Sequence, residues 1–171
     1  MFKTKKLVIT ALLVALGIVL PFAFHSIPNA GSIFLPMHIP VLLCGLILGW
    51  QYGLACGILT PLLSSLITGM PPFAYLPSML FELAAYGLVA GLLIKFIRTK
   101  SKFANTYIAL IGAMLAGRVL FGLLNALIFR FGSYSISIWL TAAFVTALPG
   151  IALQLVVIPI LVLAIEKAKL I

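Results

Sequence analysis

The chain alternates between long apolar runs and short polar breaks, and the runs have the length of membrane-crossing helices. About 20 apolar residues cover the hydrocarbon core of a bilayer, with a range of roughly 17–25. Residues 7–24 form one such run, closed by a polar, proline-containing stretch at 25–36. Residues 37–49 follow, short for a span and marked by Pro40. Residues 52–69 are the third run, with Pro61 at the middle as an expected kink. The prolines of 70–77 (MPPFAYLP) predict a loop, and 78–97 the fourth span. After the hydrophilic segment 98–106 (RTKSKFANT), residues 107–129 and 139–165 complete six runs, the last interrupted by Pro149 and Pro159. The prediction is an all-α membrane protein of six transmembrane helices in one integral membrane domain covering 1–171.

Composition agrees. Of 171 residues, 64% are hydrophobic and 8% charged, where soluble domains hold roughly 45–50% and about 25%. Too few polar side chains exist to coat a water-soluble fold, so the outer wall must face the lipid bilayer. The net charge of +9 raises nucleic acid as a partner, but the bases sit in short clusters between apolar runs: Lys3, Lys5 and Lys6; Lys95, Arg98, Lys100 and Lys102; Lys167 and Lys169. That is the pattern that sets membrane topology, and it argues against nucleic acid. With the N-terminus inside, six crossings place every cluster and both termini in the cytoplasm. Nine of the eleven bases then lie on that side, all but Arg118 and Arg130. The first apolar run, about 18 residues, exceeds the 7–15 of a signal peptide, and the reading is a retained first span of a multi-pass cell-membrane protein.

Polar groups inside a span need a reason, since a centred charge costs roughly 2.5–3.5 kcal/mol on insertion scales. They are His38, Glu82, Arg118, Asn125 and Gln154. Glu82 and Asn125 each fall about one turn in from the outer side, a shared depth that favours a ligand pocket. Arg118 shares a helical face with Asn125, and Gln154 is expected near the level of Arg118. For these two, a pocket and interhelical hydrogen bonding stand as equal alternatives. His38 is either a ligand contact or an interfacial residue at a helix start. The outer breaks carry His25, Asn29, Phe34, Phe73 and Tyr75, whose aromatic rings either anchor the interface or cover a pocket that stacks a flat ligand.

Small residues recur at four-residue spacing in Ala11/Ala15, Gly45/Gly49, Gly53/Gly57 and Gly87/Gly91, which lets helices approach closely. Ala11 and Ala15 form a strip on an otherwise bulky first span, suited to docking another membrane subunit. Cys44 and Cys56 read as small packing residues, since two thiols make neither a metal site nor, in a reducing compartment, a disulfide. No catalytic acid pair, HExxH or phosphate-binding loop is present. The chain is therefore expected to be neither an enzyme nor an ATPase, and no cofactor is implied. Uphill transport would need a partner's energy or an ion, with Glu82 the one carboxylate within a span.

Residues 35–53 (LPMHIPVLLCGLILGWQYG), 64–72 (SSLITGMPP) and 79–93 (MLFELAAYGLVAGLL) resemble the substrate-binding S components of energy-coupling-factor (ECF) vitamin transporters. The Ala11-x-x-x-Ala15 strip matches the small-residue motif that these proteins carry on their first helix. One departure is Trp50, where the family's turn has proline. The resemblance implies a pocket open to the outside, built from spans four to six and the outer loops, that binds a water-soluble vitamin or precursor. It also implies docking through Ala11 and Ala15 onto a transmembrane coupling subunit that carries two ATPase subunits. Glu82, Asn125, His38, Arg118, Gln154, Phe73 and Tyr75 are the substrate-binding candidates. Within the family the chain is similar to members assigned to hydroxymethylpyrimidine or pyridoxine. Pantothenate is an alternative ligand whose carboxylate would need Arg118 or Arg130. A stand-alone carrier using Glu82 for proton coupling, or an assembly subunit without ligand, are the competing functions.

Overall fold

The computed structural model describes residues 2–23 and 28–168. His25, the end of the first predicted run at Phe24, and Lys169 lie outside the described residues. Among those described, six helices are long and apolar enough to cross a membrane. They run α1 (Lys3–Ala23), then the short α2 (Ala30–Phe34) continuing into α3 (His38–Leu48), α4 (Trp50–Thr68), α5 (Leu76–Phe96), α6 (Lys102–Leu124) extended by a π-helical turn (Asn125–Phe129), and α8 (Leu148–Lys167). Between the fifth and sixth crossings lies α7 (Ile136–Leu140), followed by a second π-helical stretch (Thr141–Thr146).

The short second span is explained by where it sits. Helix α3 packs against α1, α4, α5, α6 and α8, and Val41, Leu42, Leu43, Cys44 and Leu46 are all buried. It is the central rod of the bundle, so it is apolar on every side. Its outer extension α2 is set off by left-handed backbone at Asn29 and Leu35 and lies against α8. The turn from α3 to α4 is one residue, Gly49, with φ +95°, a conformation that glycine adopts without steric cost. Glycine also brings α3, α4 and α5 together. A Cβ on Gly87 would meet the Gly53 backbone, and one on Gly45 would meet the Gly87 carbonyl. Gly49, paired with Gly45 by spacing, serves the turn instead.

The last predicted span, 139–165, is broken in the structure. Helix α8 begins at Leu148, with Pro149 in its first turn, where a missing N–H leaves no bond unmade. Residues 136–146 form a separate helical segment before it. At the other end of the α4–α5 connection, the Ser64 and Ser65 hydroxyls donate to the carbonyls of Met70 (2.7 Å) and Pro71 (2.8 Å), which ties the loop back onto α4. Helix α1 is peripheral, packing on α3 and α4 and leaving Leu7, Val8, Leu12, Leu16 and Val19 exposed. Such a wall of exposed aliphatic side chains is stable against lipid and not against water.

Candidate functional site

Three helices converge on one buried polar cluster. Glu82 stands six residues into α5, about 9 Å along the axis at 1.5 Å per residue. Its Oε1 accepts from the Tyr86 hydroxyl at 3.0 Å, an i, i+4 pair on one helix face. Arg118 of α6 places Nη1 3.1 Å from the same oxygen, and His38, at the first residue of α3, places Nε2 at 3.9 Å. Glu82 is 4% exposed, Arg118 6% and His38 3%. A carboxylate and a guanidinium taken this far from water persist because each neutralises the other. The Tyr86 ring packs against α6 at Gly117, where a Cβ would collide with it. The ring also packs on His38, with centroids 5.3 Å apart at 57°.

The cluster is under-satisfied. Among the described residues, His38 Nδ1 and Nε2, Arg118 Nε and Nη2, both amide atoms of Gln154, and the Tyr134 hydroxyl are buried without a hydrogen-bond partner in the protein. Gln154 sits on α8 and is 1% exposed, and among the described contacts none joins it to Glu82, Arg118 or His38. Buried polar groups in folded proteins are nearly always paired, and leaving one unmade costs about 1–3 kcal/mol. Seven such atoms on His38, Arg118, Gln154 and Tyr134 are a surplus of hydrogen-bonding capacity: donors on Arg118, both kinds on Gln154, His38 and Tyr134. Tyr134 lies in the outer connection between the first π-helical turn and α7. Burial pushes its phenol above the ordinary range, opposed by Arg130, and the charges of Glu82 and Arg118 also reach it. It therefore stays a neutral donor and acceptor.

Not every candidate joins the cluster. Asn125 is buried, but its Nδ2 donates to the Phe121 carbonyl of its own helix at 2.8 Å. The charge partner of Glu82 is thus Arg118, and the depth shared by Glu82 and Asn125 does not translate into a contact between them among the bonds described. Phe73 and Tyr75 are exposed at the outer end, and the Arg130 guanidinium lies 4.9 Å from the Tyr75 ring centroid, linking two outer connections. Ala11 and Ala15 are exposed on the outer face of α1. Cys44 and Cys56 are buried free thiols; Cys44 donates weakly to the Thr10 hydroxyl across 3.9 Å.

Three participants escape a reading of polar residues alone. Tyr86 looks like one more aromatic in an apolar run, and its four-residue spacing from Glu82 is the signal that would have marked it. Tyr134 sits in a loop. Trp139, expected to open the sixth span, instead donates its indole N–H to the Arg118 carbonyl at 3.0 Å and covers Gly122. Beside it a cavity of about 230 Å³ is lined by Val119, Gly122, Leu123, Ala126, Tyr134 and Trp139, among others.

Residues 5–162 match the model of a protein family described as ECF transporter, substrate-specific component. No curated protein and no solved structure matches the chain.

Proposed function

The chain belongs to the family of ECF transporter substrate-specific components, and from that premise we propose that it captures a small hydroxylated heteroaromatic vitamin or precursor, hydroxymethylpyrimidine or pyridoxine, from the outer side of the cell membrane. Members of this family are transporter components that work with a membrane coupling subunit and ATPases. The six membrane-crossing helices and the absence of any nucleotide-binding motif suit that division of labour. The observation that carries the ligand reading is the set of buried, unpartnered nitrogens on Arg118 and His38 beside Glu82, with further unpartnered atoms on Tyr134 and Gln154. A ring bearing hydroxyl groups and ring nitrogens supplies acceptors for Arg118 and mixed partners for His38, Gln154 and Tyr134. The aromatic and aliphatic surroundings supply its stacking surface. Ala11 and Ala15, on the exposed face of α1, are the proposed contact with the coupling subunit, since small side chains admit a partner helix at close range.

The test is calorimetry on the purified chain in detergent against a panel of water-soluble vitamins and precursors. The expected result is binding at micromolar affinity or tighter to a hydroxylated pyridine or pyrimidine. A folded protein that binds no member of the panel refutes the ligand-capture reading.

A further inference from the structure

We infer that the Glu82–Arg118 pair makes the site select against negative charge, so that it takes its ring ligand as the free alcohol and rejects the phosphate ester and carboxylate-bearing vitamins. The inference rests on the ligand-capture reading and narrows it.

The formal charges at the centre of the cluster cancel: Glu82 carries one negative charge and Arg118 one positive, with their closest atoms 3.1 Å apart. The groups seated against Glu82 besides Arg118 are the Tyr86 hydroxyl at 3.0 Å and the His38 imidazole at 3.9 Å, and Tyr134 lies within electrostatic reach of both charges. No further lysine or arginine is at hand. Outside the cytoplasmic clusters the chain holds only Arg118 and Arg130, and Arg130 sits at the outer rim over the Tyr75 ring. Lys102, whose partner is Glu166 at 3.6 Å, belongs to the opposite, cytoplasmic end. A phosphate monoester brings about −1.5 to −2 charges. Seated against Arg118 Nε or Nη2, it would compete with Glu82 for one cation and face a carboxylate of its own sign at a site where both partners are buried and solvent screening is weak. A neutral hydroxyl or ring nitrogen accepts from the same two nitrogens without disturbing the pair. The specificity element is therefore Glu82 itself: it spends the charge of Arg118 and leaves its hydrogen-bonding geometry free.

The experiment measures affinities of the full chain, purified in detergent, for pyridoxine and hydroxymethylpyrimidine, for their phosphate monoesters, and for pantothenate. It then repeats the series with Glu82→Gln, which keeps the shape and an acceptor for Tyr86 while unpairing Arg118. The wild type is expected to bind an alcohol at least about 100-fold more tightly than its ester, a gap within what one mispaired buried charge produces. Glu82→Gln is expected to narrow that ratio at least about tenfold. A wild type that binds an ester or pantothenate as tightly as the alcohols overturns the inference and leaves ligand capture standing. A folded wild type that binds none of the five compounds overturns both. A folded Glu82→Gln chain with an unchanged ratio overturns the role given to Glu82. Where that variant does not fold, the wild-type ratio decides alone.

Discussion

Arg118→Met removes the guanidinium while keeping most of its bulk, and so leaves the Glu82 carboxylate buried without its one permanent cation. Breaking a buried ion pair from one side costs about 3–5 kcal/mol in water-soluble proteins, and insertion scales put an unpaired charge at mid-bilayer at about 2.5–3.5 kcal/mol. The Tyr86 hydrogen bond, 3.0 Å, exists before and after the change and offsets nothing. His38 does offset part of it. Its Nε2 stands 3.9 Å from Oε1, and an approach of about 1 Å would bring it into hydrogen-bonding range, returning about 1.5–3 kcal/mol. The net loss should be about 1–3 kcal/mol. Adding Glu82→Gln to Arg118→Met removes the uncompensated charge, so the double variant should be more stable than Arg118→Met alone. The assay is reversible unfolding by SDS in mixed micelles, followed by tryptophan fluorescence, on the two single variants, the double variant and the wild type. Arg118→Met within about 0.5 kcal/mol of wild type, with the two substitutions additive, would refute the claim that the pair is what makes both charges tolerable.

Gly87→Ala should destabilise the bundle by at least about 2 kcal/mol, because its Cβ would meet the Gly53 backbone and overpacking against backbone has no soft side chain to yield. Gly31→Ala, which meets nothing within 4 Å, is the neutral control in the same unfolding assay. Gln154→Leu should raise the stability of the ligand-free chain by about 1–2 kcal/mol, by removing two unpartnered buried atoms, and weaken ligand binding at least about tenfold; calorimetry and unfolding read the two effects separately. Ala11→Trp and Ala15→Trp should abolish uptake in the assembled transporter while leaving ligand affinity unchanged, and a loss of affinity would remove α1 from the docking role.

The six crossings were legible because hydropathy alone decides them: an apolar stretch near 20 residues has one stable place in a cell, and basic clusters orient it. Buried polar residues were legible for the same reason. His38, Glu82, Arg118, Asn125 and Gln154 are all buried, as expected of polar groups that avoid lipid. Their pairing was not legible. Position along a helix predicts depth, whereas contact also depends on which helices are neighbours and how each is rotated, and that is set by packing at glycines such as Gly53, Gly87 and Gly117. Asn125 illustrates the difference: it opens a π-helical turn, where its side chain satisfies a backbone carbonyl rather than a neighbouring helix. The sixth span began later than the apolar run 139–165, which the sequence shows interrupted by Pro149 and Pro159. Pro149 lies in the first turn of α8, and residues 136–146 form a separate helical segment before it. The central place of α3 explains why a run that looked too short to cross alone belongs to a span extended by α2.

The central claim is that this chain captures a ligand and depends on a partner to move it. Uptake of labelled pyridoxine and hydroxymethylpyrimidine into liposomes tests it most directly, with the purified chain alone and with the chain assembled with a coupling subunit and its two ATPases. The chain alone is expected to bind but not accumulate either compound, under a proton gradient or without one, and the assembly to accumulate it when ATP is supplied. Gradient-driven accumulation by the chain alone would contradict it.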